Sequence, residues 1–124
     1  MISVGTDILE IARIEQTLAR LGERFVKRIL TPAEQIEYHA SSNGARLLAK
    51  RFASKEAIAK ALGTGIGRGV SWQDIHISHD EAGAPLVTLT GGADSVARSR
   101  GGQNMLLSLS DEQHYVVAFA ALTA

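Results

Sequence analysis

The spacing of apolar side chains changes along this chain from a period of two, to one of three and four, and back to two. Ile2, Val4 and Thr6 alternate with Ser3, Gly5 and Asp7, which predicts a half-buried strand with Asp7 at its end. Ile11, Ile14, Leu18 and Leu21 follow at helical spacing, and Gly22 supplies the stop. Phe25, Ile29 and Leu30 form a short apolar stretch; then Thr31 and Pro32 have the character of a cap and first position for a helix containing Glu34 to His39. Ser41 to Gly44 reads as a loop. The strongest helical segment runs from about Ala45 to Leu62, rich in Ala, Leu, Lys and Glu and closed by Gly63, and is expected to form the spine of the domain. Leu48, Phe52 and Ala59 share a side of it with Glu56, while Leu47, Ile58 and Leu62 widen the apolar arc. An arc so wide calls for two packing partners, expected to be the domain's own sheet and a neighbouring subunit.

The second half returns to strands. Residues 63–69, GTGIGRG, form a connector; a strand around Asp74 to Ser78, a turn from Asp80 to Pro85 and a returning strand Leu86 to Leu89 follow. Ala93 to Arg100 reads as a short helix stopped by Gly101, Met105 to Ser110 as another strand, and the unbroken apolar run Tyr115 to Leu122 as a buried final strand. The sum is an α+β fold with helices packed on a mainly antiparallel sheet. No repeat interrupts it, and 124 residues suffice for a single domain, 1–124.

Composition narrows the chemistry. Thirteen Lys plus Arg balance thirteen Asp plus Glu, which argues against a nucleic-acid binder, so charge-based recognition has to be local. The absence of Cys excludes disulfide scaffolds, thiolate zinc sites and cysteine nucleophiles, and leans toward a reducing compartment. No apolar run has membrane-spanning length, and ISVGTDILEI carries two carboxylates without a basic leader, so a cytoplasmic protein with no membrane partner is expected.

Glu56 is the position hardest to explain by packing alone, because a carboxylate beside Leu48, Phe52 and Ala59 needs a partner. Lys60, four residues on, offers a surface ion pair of about 0.3–0.5 kcal/mol. Asp7 offers another reading: two carboxylates without thiolate or clustered imidazole suit a hard divalent cation, with water and phosphate oxygens completing its shell. For Asp7 alone a helix cap is an equal alternative. The glycines at 63, 65, 67 and 69 alternate, so they match neither a dinucleotide fingerprint nor a P-loop, and a helix C-cap with a tight connection is favoured. His39, His76, His79 and His114 lack zinc-motif spacing. Ser108 and Ser110 share a strand face but have no hydrolase signature around them.

Two stretches, VGTDILEIARIE and RFASKEAIAKALGTGIG, resemble the holo-[acyl-carrier-protein] synthase family, the small trimeric class of 4′-phosphopantetheinyl transferases. FVKRILTPAE, the DIHI strand, the GAP turn and LSLSDEQHYVVAFA follow in the family's order, so the resemblance covers nearly the whole chain. It implies the 4′-phosphopantetheinyl transferase fold, a homotrimer, and transfer of 4′-phosphopantetheine from coenzyme A to a serine of an apo acyl carrier protein, releasing adenosine 3′,5′-bisphosphate. The alternative is a noncatalytic carrier- or nucleotide-binding trimer on the same scaffold. By the same resemblance Asp7 and Glu56 would hold Mg²⁺, with Mn²⁺ as the alternative ion. Lys60 would contact phosphate, with Arg51 and Lys55 as further coenzyme A ligands, and the serine proton would pass to a metal-bound water or to Glu56. Gly65, Gly83, Pro85 and Ser110 would also meet coenzyme A, the last strands coming from a neighbouring subunit. Arg13, Arg20, Arg24 and Phe25 would form the surface for the acidic carrier. Many members have His after the second serine of this strand end; here Asp111 follows Ser110, and an acid beside phosphate needs a cation or must point away.

Overall fold

The computed structural model describes residues 1–124. Its elements are β1 (Ser3–Glu10), α1 (Ile11–Leu21), α2 (Glu23–Ile29), α3 (Pro32–Ala40), α4 (Gly44–Ala61), a 3₁₀ turn (Trp72–Asp74), β2 (Ile75–His79), β3 (Pro85–Leu89), α5 (Gly91–Ser99), β4 (Asn104–Asp111) and β5 (Tyr115–Thr123). Strands β1, β5 and β4 form a three-stranded antiparallel sheet in that order, and β2 and β3 form a hairpin. Helix α4 crosses the inner face of the larger sheet, and α1, α2 and α3 close around its other sides. No helix is long and apolar enough to cross a membrane.

Local signals account for most boundaries. Gly22 (φ +61°) ends α1, its N–H donating to the Leu18 carbonyl. At α3, Thr31 Oγ1 accepts from the Glu34 N–H while Glu34 Oε1 accepts from the Thr31 N–H, and Pro32 takes the first helical position. The stretch holding Phe25, Val26 and Ile29 is helical, as α2.

Strand β1 departs from expectation in length and in facing. It continues to Glu10, so Asp7 lies mid-strand opposite Ala118 and caps no helix. The small and polar positions Ser3, Gly5 and Asp7 face α4, whereas Val4 and Ile8 point away and are 47% and 68% exposed. The helix explains this inversion. A Cβ at Gly5 would collide with the Ala57 carbonyl and come within 2.6 Å of the Ala61 nitrogen, so only glycine lets the strand rest on the helix backbone. Ser3 Oγ donates to the Ala61 carbonyl along the same seam.

Strand β5 is likewise half-exposed rather than buried. Val116, Ala118, Ala120 and Leu122 are fully buried against α4, while Tyr115, Val117 and Phe119 face outward. In an antiparallel sheet directly paired residues share a face, so the rows Val4–Ala121–Leu106, Thr6–Phe119–Ser108 and Ile8–Val117–Ser110 lie together on the outer surface. The apolar arc of α4 is satisfied within the chain, by β1 and β5 on one side and α1 to α3 on the others. The surface left open belongs to the sheet, not to the helix.

The β1–α4 seam yields a direct test. Gly5→Ala is expected to destabilise the fold by about 1–3 kcal/mol, the usual cost of overpacking a tight contact, read as a lower urea midpoint with an unchanged slope.

Candidate metal and phosphate site

Close packing of β1 on α4 brings together two carboxylates that are distant in sequence. Asp7 extends from the inner face of β1, its side chain 17% exposed, and Lys60 from the last turn of α4 reaches it: Lys60 Nζ donates to Asp7 Oδ1 at 3.2 Å and to the Thr6 carbonyl at 3.0 Å. Lys60 thus turns to Asp7 and not to Glu56, and the surface Glu56–Lys60 pair is not the arrangement adopted. Glu56, one turn back along α4, is half-buried and makes no hydrogen bond or ion pair within the chain. Burial and, next, the negative charge of Asp7 push its pKa above the ordinary carboxylate value, with Lys60 opposing. No third His, Cys, Asp or Glu joins them.

Two converging carboxylates, one unpartnered and repelled by the other, form a donor set that fits a hard divalent cation taking its remaining ligands from water and phosphate oxygens. A soft or strongly chelating site would require more protein ligands.

Two residues expected to contact coenzyme A are committed elsewhere. Lys55 is fully buried, and its three protons are taken by Ile29 O at 2.7 Å, Glu34 Oε1 at 2.7 Å and Trp72 O at 3.2 Å, leaving no donor for phosphate. Burial lowers its pKa, and Glu34 opposes that shift. Arg51 is 3% exposed; its Nη2 donates to Glu37 Oε2 at 3.1 Å and its Nε lies 3.8 Å from Glu34 Oε2. Both cations therefore serve the interior. Glu34, which sequence reasoning placed only as part of a helix, is the hidden partner. The signal was present in Thr31-Pro32-Ala33-Glu34, where the capping-box spacing turns the Glu34 side chain back into the protein.

Gly65 belongs to the turn that closes α4, its N–H donating to the Ala59 carbonyl at 3.1 Å, so the C-cap reading of the glycine loop holds. Gly83 sits exposed at the tip of the β2–β3 hairpin, and Pro85 opens β3. Pro85 lines an open cleft of about 600 Å³ between β3, α5 and β4 to which Asp7, Glu56 and Lys60 contribute nothing. Ser110 lies on the outer sheet face, whereas Asp7 faces inward, so Ser110 cannot complete the Asp7–Glu56 site of its own chain. Asp111 is neutralised: Arg46 Nη1 contacts its Oδ2 at 2.7 Å and Lys50 Nζ its Oδ1 at 3.6 Å. Nothing in the spacing of these residues revealed that pairing. Arg13, Arg20 and Arg24 project from α1 and α2 into solvent, and Arg13 has only a loose 4.0 Å contact to Glu10. Phe25 is not on that surface; it is 7% exposed and packs 6.1 Å from the Phe52 ring.

A profile of the 4′-phosphopantetheinyl transferase superfamily matches residues 3–120. The chain belongs to this superfamily. Its relatives include holo-[acyl-carrier-protein] synthase of Vibrio cholerae, 52% identical over 98% of this chain and 97% of that protein, and the synthase of Shewanella frigidimarina, also 52% identical with the same coverage. The crystal structure of the synthase from Neisseria meningitidis superposes with a TM-score of 0.93 at 40% identity, each chain covered completely. That of the Helicobacter pylori synthase in complex with coenzyme A gives 0.84 at 33% identity, covering 97% of this chain and 99% of that one. The α+β fold of this superfamily is the fold found here.

For this transferase, the environment of Glu56 carries a stability signature. The folded state disfavours the ionised carboxylate, so Glu56 destabilises the metal-free protein increasingly as pH rises above the ordinary carboxylate pKa, and fully above its raised value. Glu56→Gln is expected to melt at higher temperature than the parent at neutral pH, with the difference shrinking in acid, in thermal scans of both proteins without metal.

Proposed function

We propose that this chain transfers 4′-phosphopantetheine from coenzyme A to a serine of an apo acyl carrier protein, using a Mg²⁺ ion held between Asp7 and Glu56. The convergence of these two carboxylates beside Lys60 carries the reading, and the family and the activity named for its relatives support it. Mn²⁺ satisfies the same donor set.

In the reaction the serine oxygen attacks the phosphorus nearer pantetheine, the bridging oxygen of the diphosphate departs with adenosine 3′,5′-bisphosphate, and the serine proton is released. Asp7 and Glu56 would hold the divalent cation, which would supply charge neutralisation to the diphosphate. Lys60, held by Asp7 and the Thr6 carbonyl with half its side chain in solvent, presents a compact ammonium to phosphate oxygens. Glu56, unpartnered within the chain, is the chain's own candidate to receive the serine proton, with a metal-bound water as the alternative. Arg13, Arg20 and Arg24, free of strong internal pairing, supply the local positive surface that an acidic carrier helix requires.

Assembly as a homotrimer is part of the same proposal. Val4, Ile8, Leu106, Val117 and Phe119 leave an apolar sheet face uncovered, and Ser110 lies on that face, where it can serve only a neighbouring copy's site. Gly65, Gly83 and Pro85 are proposed to meet the nucleotide in a cleft that the last strands of a neighbouring copy complete.

Asp7→Asn and Glu56→Gln are each expected to lower transfer at least about 100-fold while retaining fold and carrier binding, since loss of even an outer-shell partner of a metal site costs 10–100-fold. Mass spectrometry of apo carrier incubated with coenzyme A and Mg²⁺ reads the added phosphopantetheine; parental turnover in either variant, or no transfer by the parent, rejects the proposal in favour of a binding module. Phe119→Glu is expected to convert a trimer into monomers in sedimentation and to reduce transfer with them, whereas a monomeric parent contradicts the assembly.

A further inference from the structure

Helix α4 meets the sheet along a ridge of alanines. Ala49, Ala53, Ala57 and Ala61 recur every fourth residue, all fully buried, and β1 rests on the helix backbone at Gly5. A methyl ridge excludes water but is shallow, so it resists rotation and sliding far less than interlocked large side chains do. The site nevertheless demands one rotation. Successive helical residues differ by about 100°, so a slip of one position turns Glu56 away from Asp7.

On the sheet side the directional bonds of α4 reach it from partly exposed positions, Arg46 to Asp111 in its first turn and Lys60 to Asp7 and the Thr6 carbonyl in its last; its fully buried ion pair, Lys55–Glu34, lies on the opposite side. Lys55, the residue before Glu56, ties the helix to the end of α2 through Ile29 O, to the 3₁₀ turn through Trp72 O and to α3 through Glu34 Oε1. Glu34 in turn accepts from Thr31 N at 2.8 Å and from Ile77 N at 2.9 Å, reaching β2. Four neighbouring segments thus converge on two fully buried side chains. Buried ion pairs commonly contribute little net stability against an apolar pair, and their best-attested role is to select one register among several.

We infer that the Lys55–Glu34 pair locks the rotational register of α4 and so holds Glu56 opposite Asp7, making Lys55 and Glu34 positioning residues for the cation site. This rests on the two-carboxylate site proposed above. A residue that only supports the fold would affect cation binding no more than any other core residue of equal weight.

The test measures Mn²⁺ affinity of the substrate-free protein by electron paramagnetic resonance and compares Lys55→Met with Ile75→Ala, a core variant in β2, under conditions where the two have equal folded fractions. Lys55→Met is expected to bind Mn²⁺ about 10–100-fold more weakly than the parent, the range for outer-shell partners of metal ligands, with Ile75→Ala unchanged. Parental affinity in Lys55→Met, or an equal loss in both variants, overturns the lock. If Lys55→Met does not fold, Glu34→Gln takes its place in the same comparison with the same criteria. A parent protein with no Mn²⁺ site sensitive to Glu56→Gln contradicts the carboxylate site itself, an outcome distinct from failure of the lock.

Discussion

Strand β1 rests directly on the backbone of α4, because Gly5 offers no side chain and the helix presents alanines beneath it. This contact brings Asp7 to the last turns of α4, where Glu56 and Lys60 emerge. It also decides which way the sheet faces. With the small side chains of β1 turned inward, Val4 and Ile8 must turn outward, joining Val117, Phe119 and Leu106 in an apolar surface that a single chain leaves open. The candidate site and the open apolar face are therefore two sides of one sheet, and the alternation of strand residues links them.

Helix α4 carries charge on two sides with opposite outcomes. Arg51 and Lys55 turn inward to Glu34 and Glu37, where charge is matched and hydrogen bonds are nearly complete. Glu56 and Lys60 turn toward β1, where Asp7 leaves the balance on the negative side. An excess of negative charge in a half-buried place destabilises the empty protein and favours a cation. The interior network adds rigidity at the point in the sequence where the site begins, since Lys55 and Glu56 are neighbours in the chain.

Much of this was legible in the sequence. Helix stops and caps at Gly22, Thr31 and Pro32, the long helix, the later strands and the pairing of Asp7 with Glu56 follow from local patterns together with the family resemblance, since strong periodicity and capping chemistry act within a few residues. Tertiary packing decided the rest. Sequence spacing cannot tell which side of a helix faces a buried acid, so Lys55 and Arg51 have the look of phosphate ligands although both turn to Glu34 in the fold. An alternating strand shows that its two faces differ, but not which is covered; a glycine face can be the inner one when a helix lies against it. Phe25 followed the same rule, an aromatic among exposed arginines that turns inward to Phe52.

Anomalous diffraction from crystals of the protein soaked in Mn²⁺ tests the central claim most directly. A single strong peak is expected within about 2.0–2.3 Å of one carboxylate oxygen from Asp7 and one from Glu56, the range for a hard cation of this size. A peak bound elsewhere, or carboxylates that stay apart with no ion between them at saturating Mn²⁺, contradicts it.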